Sequence, residues 1–154
     1  MTQTIVDNEN FREYLNLIQN IINRLAQNSF RVKEWYPVIF SAVILISFTY
    51  SDSLSKILIY SMLSIILLAF WYLDSYYLRQ ERLFRSLYNK KVAEFNDSTK
   101  RNRMKIFIMN VKEFLEIEQR TFRIMFSISE LCFYIPFLII LVGLLVVQIV
   151  LTSL

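Results

Sequence analysis

The chain has 154 residues, enough for one ordinary domain. Hydrophobic residues make up 55% of it and charged residues 19%, against about 45–50% and about 25% in soluble chains; the net charge is +4. With no histidine, one glycine (Gly143) and one cysteine (Cys132), it can build no Ser-His or Cys-His couple, no glycine-rich phosphate cradle, no disulfide within the chain and no histidine or thiolate metal cluster. The expectation is a membrane protein without enzymatic activity, cofactor or metal.

Residues 8–34 read as an amphipathic helix. Phe11, Tyr14, Leu15, Ile18, Ile21, Ile22 and Leu25 recur at one-face spacing, and Asp7 or Asn8 can cap the start. Another face carries an amide row, Asn16, Asn20, Asn23 and Gln27. Its plainer reading is a solvated surface; the sharper one is a polar seam against a neighbouring subunit or a ligand rich in donors and acceptors, such as a nucleobase. Trp35 to Ser51 is an uncharged run of 17 residues, and Ile57 to Leu73 is another of 17. Both sit at the short limit for crossing a bilayer, which takes about 20 residues. Trp35, Tyr36, Tyr50, Tyr60, Trp71 and Tyr72 supply the aromatic residues expected at interfaces. The link between the runs, Ser51 to Ser55, is only a turn, so they form an antiparallel hairpin over 35–73.

No helix breaker follows Leu73 until Asn96-Asp97-Ser98, so the second helix should continue to about Phe95. It carries Arg79, Arg82, Arg85, Lys90 and Lys91 among Tyr76, Tyr77, Phe84 and Tyr88. A basic loop follows, Lys100-Arg101-Asn102-Arg103-Met104-Lys105, and then an extended run, Ile106 to Met109. Asn110 and Glu113 have capping-box spacing. A helix from Val111 is expected to run through Arg123 into a third apolar stretch, Leu131 to Leu154, 24 uncharged residues with Pro136 as a kink point.

These elements predict an all-α polytopic membrane protein with a cytoplasmic N-terminal helix (1–34), a transmembrane hairpin (35–73), a cytoplasmic helical segment (74–130) and a third span (131–154). Sixteen of the 17 Lys and Arg residues fall in the two non-hydrophobic segments and only Lys56 in the hairpin turn. The positive-inside rule therefore predicts a cytoplasmic N-terminus, an outside C-terminus and a bacterial-type inner membrane, with no signal peptide expected.

Three sets of residues are functional candidates. Lys33 and Asp74 close the cytoplasmic ends of the first two spans at one depth, either as a pair that locks the hairpin, with Arg31 as an alternative bridging partner, or as a gate hinge. Arg79, Arg82 and Arg85 with their aromatic neighbours are either topology determinants touching anionic headgroups or a surface for phosphates and stacked bases. Ser41, Ser47, Ser61, Ser64, Gln148 and Thr152 are the polar residues of the spans and mark a pore or a subunit seam. Three short spans enclose no aqueous path alone, so conduction requires a homo-oligomer. The competing reading is a non-conducting membrane adaptor whose helices recruit a soluble partner.

Asn28 to Trp35, Leu73 to Tyr88, Met125-Phe126-Ser127 and Phe133-Tyr134-Ile135-Pro136 resemble motifs of small bacterial membrane effectors of anti-phage operons. The chain is similar to the channel subunit of the Hailong system, apart from Glu34 and Ser75 where that pattern has Gly and Ala. The resemblance implies a homo-oligomeric, tetrameric channel held shut by a short single-stranded DNA oligomer that a partner nucleotidyltransferase makes. From the residues themselves, the apolar face of the N-terminal helix is expected to be covered by the helix beyond the second span or by a neighbouring subunit. That packing is expected to bring Asn16, Asn20, Asn23 and Gln27 near Arg79, Arg82 and Arg85, the arginines for phosphates and the amides for base edges.

Overall fold

A computed structural model describes residues 8–101, 104–115 and 120–153. Asp7, Asn102, Arg103 and Leu154, named above, and residues 116–119 of the helix expected from Val111 lie outside the described residues. The described chain is helical and contains no strand: α1 (Asn8–Ser47), α2 (Ser53–Asn96), α3 (Ser98–Arg101), a 3-10 turn (Lys112–Phe114), α4 (Thr121–Met125) and α5 (Ile128–Ser153). It divides into two compact units. One comprises residues 1–27 and 77–120, the other residues 28–76 and 121–154.

In the first unit the amphipathic face of α1 finds its cover within the chain. Phe11, Tyr14, Ile18 and Ile22 are buried with Leu83 and Leu87 of α2 and with Phe114, and Leu15 packs at the edge of this cluster. The i, i+4 and i+7 spacing places these side chains on one stripe. Phe11 stacks on Phe95 with ring centroids 3.9 Å apart, and the Arg101 guanidinium lies 4.2 Å from the centre of the same Phe95 ring. Arg101 also donates to the side-chain carbonyl of Asn8 at 2.7 Å, so the Asn8 oxygen is occupied by another element.

The segment after the basic loop is open chain, as its brevity suggests. Phe107 takes φ 63°, a left-handed conformation that bulky residues seldom adopt. The neighbouring Ile108 carbonyl accepts the Tyr14 hydroxyl at 2.6 Å. Among the described residues the expected helix does not start at Val111, and its far end, Thr121 to Arg123, belongs to the short α4. Asn110 instead accepts the Lys112 amide in an Asx turn at 3.0 Å, and one 3-10 turn follows, Lys112–Phe114. Glu113 does not close a capping box; its carboxylate receives the Lys90 ammonium at 2.5 Å. Tertiary anchors displace the local pattern here. Phe114 enters the core, and the helical path breaks again between Met125 and Ile128.

The second unit holds the apolar stretches. Asp52 caps α2, accepting the Ser55 amide at 2.8 Å and the Ser55 hydroxyl at 2.9 Å. α2 and α5 each contain a stretch long and apolar enough to cross a membrane, and α5 runs through Pro136 without interruption. α1 also accommodates a proline, Pro37, and ends at Ser47, so the uncharged helical part from Trp35 has 13 residues, about 20 Å at 1.5 Å per residue. The core of this unit is aromatic. Tyr36, Phe40, Trp71 and Tyr134 are buried with Leu63, Leu67, Met125 and Leu141. Trp71 stacks on Tyr134 at 5.5 Å, and Tyr36 meets Phe137 edge-on at 5.0 Å. The outward face remains apolar and exposed, from Val38, Leu45 and Ile46 through Leu58, Met62 and Ile65 to Ile139, Val146 and Val150. An uncovered apolar surface of that extent is the mark of a lipid-facing or partner-facing wall.

Candidate functional site

The polar centre of the second unit lies where α1, α2 and α5 meet. The Lys33 ammonium pairs with Asp74 and, at 2.9 Å, with Glu130. Ser29 donates to the other Asp74 oxygen at 2.5 Å, and the Tyr134 hydroxyl donates to Asp74 at 3.1 Å. The carboxylates of Asp74 and Glu130 are both 0% exposed, while the Lys33 side chain is 23% exposed. One ammonium thus faces two buried carboxylates, and the Phe133 ring lies 5.9 Å from the same ammonium. Asp74 is fully engaged. Glu130 is not: its Oε2 is buried without a hydrogen-bond partner, as are the Tyr36 and Ser127 hydroxyls.

The Lys33–Asp74 pair is therefore present as the sequence suggests, without a bridging partner, and Lys33 also holds Glu130; Arg31 is exposed. Glu130, Ser29 and Tyr134 escape a sequence reading. Ser127-Ile128-Ser129-Glu130 has capping-box spacing at the start of α5, a signal that marks Glu130 as polar but assigns it a local role. Its carboxylate reaches instead to a residue 97 positions away. Around this junction the Trp71 indole donates to the Met125 carbonyl at 3.0 Å, which fastens α2 to the end of α4.

The serines of the spans bond carbonyls of their own helices, and Ser47 also a tyrosine of the next. Ser41 donates to the Pro37 carbonyl at 2.7 Å, Ser61 to Ile57 at 2.7 Å and Ser64 to Tyr60 at 2.9 Å, while Thr152 bonds within its own turn. Such back-bonding is the usual state of a helical serine in apolar surroundings. Ser47 is buried and shares a 3.0 Å bond with the Tyr60 hydroxyl, linking α1 and α2 near the turn. Gln148 is buried, as its cost in lipid demands.

In the first unit the candidate ligand residues are dispersed. Asn16, Asn20, Asn23 and Gln27 are all exposed, and Gln19 donates to Asn23 at 3.1 Å. Asn20 borders a cavity of about 270 Å³ with Leu17, Ile21, Arg24 and Met109. Arg79 and Arg82 are half-buried, and Arg85 donates to Glu81 at 2.7 Å. A larger cavity of about 650 Å³ is lined by Lys91, Glu94, Thr99, Lys100, Met104, Lys105 and Ile108. Neither cavity is lined by Arg79, Arg82 or Arg85.

Comparison of the chain with protein-family models, curated proteins and solved structures finds no match. The class that fold and site define is an all-helical protein carrying two helices fit to cross a membrane, with a buried ionic junction at the α1, α2 and α5 crossing.

Proposed function

We propose that the protein is an oligomeric membrane channel, or a membrane-depolarising effector, of bacterial anti-phage defence, gated at its cytoplasmic face by a nucleotide or short oligonucleotide. The reading takes the 35–51 stretch as a third span beside those in α2 and α5. The N-terminus is cytoplasmic, the C-terminus is outside and the membrane is the inner one. A homo-oligomer, a tetramer by resemblance, surrounds the pore.

The observation that carries this proposal is the state of Glu130. A carboxylate oxygen that is buried and unbonded costs roughly 1–3 kcal/mol or more. Two carboxylates around a single ammonium add to that cost. On this reading a small tilt of α5 away from α1 admits water to Glu130 and relieves that penalty, which lowers the cost of an open arrangement of the junction. Two packings separated by a small free energy are what a gate requires, and a ligand closes it only by binding the closed arrangement more tightly.

One observation favours the second reading, a non-conducting membrane adaptor. The hydroxyls of Ser41, Ser61 and Ser64 are taken up by their own helices, which supports helix packing over a polar pore lining.

The test is ion flux from liposomes. Wild-type protein is expected to release trapped ions and to be inhibited by added oligonucleotide, with inhibition weakening as salt rises because phosphate contacts release counterions. An Arg79→Ala, Arg82→Ala protein is expected to conduct as wild type and to lose inhibition. Undiminished inhibition of that variant removes the arginines from the site; absence of flux from wild type replaces the channel with the adaptor.

A further inference from the structure

The junction of Lys33, Asp74 and Glu130 is one charge out of balance. A single ammonium stands between two carboxylates that are both 0% exposed. We propose that this junction is a proton-binding site: it keeps one proton on the Glu130 carboxyl, and release of that proton loosens the packing of α5 against α1. The inference deepens the gated reading, on which its consequence for conduction rests, by naming the proton as a second ligand that the gate answers to.

Charge and donors together say where the proton sits. Fully ionised, the cluster carries a net negative charge against the rings of Phe133 and Tyr134, and an unpaired buried charge is costly. One proton makes it neutral. Three donors converge on Asp74: Ser29 on one oxygen, Lys33 and the Tyr134 hydroxyl on the other. Glu130 receives one, from Lys33 on Oε1 at 2.9 Å, and its Oε2 is buried without a partner. Hydrogen bonds to a carboxylate favour its charged form, so Asp74 keeps the charge and Glu130 takes the proton. Asp74 is close enough to accept a hydrogen bond from Glu130 once it is protonated. Two carboxyls that share a site divide one proton between them.

The titratable groups of the junction come from each helix that builds it. α1 contributes Lys33 and Tyr36, α2 contributes Asp74, and α5 contributes Tyr134 beside Glu130 itself. Arg31, Glu34 and Arg123, the nearest other charged residues along α1 and α4, are exposed. Burial pushes the Glu130 carboxyl above its ordinary 4.5, and the Asp74 charge adds to that against the pull of Lys33. The Lys33 ammonium is desolvated too, yet its bonds to both carboxyls hold it above its ordinary 10.5, so it stays charged at neutral pH. A carboxyl raised by folding contributes stability that is complete below its ordinary value and is lost as pH rises through the folded one. Alkali therefore loosens the junction. Asp52 and Asp97 are held below the ordinary carboxylate range, so their contributions are lost only on the acid side.

The experiment is infrared difference spectroscopy of the full chain in dodecyl maltoside, a detergent without carbonyl groups, titrated upward from about pH 5, where an exposed glutamate is mostly ionised. A protonated carboxylic acid has a carbonyl stretch separate from that of a carboxylate. Wild type is expected to show such a band, shifted in heavy water and bleached as pH rises. Glu130→Gln is expected to lack it. Asp74→Asn is expected to lack it as well, because there one ammonium faces one carboxylate and Glu130 ionises. The thermal midpoint of wild type is expected to fall over the pH range that bleaches the band, and Glu130→Gln to lose that dependence. In liposomes without oligonucleotide, ion flux from wild type is expected to rise over the same range, by up to about tenfold per pH unit, the limit for one proton. Flux from Glu130→Gln is expected to be indifferent to pH.

Two results overturn the site: no carboxylic-acid band above the ordinary glutamate range, or a band that survives Glu130→Gln. If Glu130→Gln does not fold, a wild-type band unchanged by pH, or one that survives Asp74→Asn, overturns it instead. A thermal midpoint that follows pH alike in wild type and Glu130→Gln overturns the link between the proton and the packing. A band lost in Glu130→Gln, with no ion flux from wild type, supports the site and removes the channel. Flux inhibited by oligonucleotide, from a wild type without the band, removes the site and leaves the channel.

Discussion

Lys33→Met is expected to be the most damaging single exchange in the chain, and more damaging than Asp74→Asn or Glu130→Gln. Removing one partner of a buried ion pair costs about 3–5 kcal/mol in soluble proteins, and among the described residues Lys33 is the cation that faces two carboxylates, both 0% exposed. Its loss strands both. Asp74→Asn leaves Lys33 paired with Glu130 and keeps one acceptor oxygen, for Ser29 or for Tyr134, so it should cost less. The combined Lys33→Met, Asp74→Asn, Glu130→Gln protein should recover most of the stability, because replacing a whole buried ionic set by neutral groups is often neutral or stabilising. Thermal unfolding in one detergent reads out the order. A triple variant no better than Lys33→Met alone contradicts the account of the junction.

Trp71→Ala is the second large effect. Trp71 is buried, stacked on Tyr134 at 5.5 Å, and its indole donates to the Met125 carbonyl at 3.0 Å. Truncating such a side chain costs about 3–5 kcal/mol through lost burial and the cavity left behind. Trp71→Phe keeps most of the ring but leaves the Met125 carbonyl without its donor, for about 1–3 kcal/mol. The two variants should therefore separate in thermal midpoint, with Ala lower; equal midpoints assign the whole effect to the hydrogen bond and none to packing.

What a sequence discloses here is whatever has a period or a length. The apolar stripe of α1 was legible because Phe11, Tyr14, Ile18 and Ile22 repeat at helical spacing, and their burial follows that stripe. The reach of α2 past Leu73 was legible because nothing breaks a helix before Asn96. The Lys33–Asp74 pair followed from counting residues along two antiparallel helices. The helix start at Val111 was misread for a physical reason: Asn110 and Glu113 have the spacing of a cap, but the bond from the Lys112 amide to the Asn110 oxygen and the Lys90 ammonium on Glu113 fix them in another geometry. Glu130 was missed because its partner lies 97 residues away, and no local pattern encodes that meeting. The lysine cavity is a product of chain closure as well. Lys91, Lys100 and Lys105 are visibly basic in sequence, but no local pattern says that they line one space.

Current recording from the purified protein in a planar bilayer tests the central claim most directly. The account predicts discrete, reproducible conductance steps that disappear when oligonucleotide is added on the side holding the N-terminal and 74–130 segments, and that persist when it is added to the opposite side. A silent bilayer in which the protein is demonstrably inserted and assembled, with or without oligonucleotide, contradicts the channel reading and leaves a membrane adaptor.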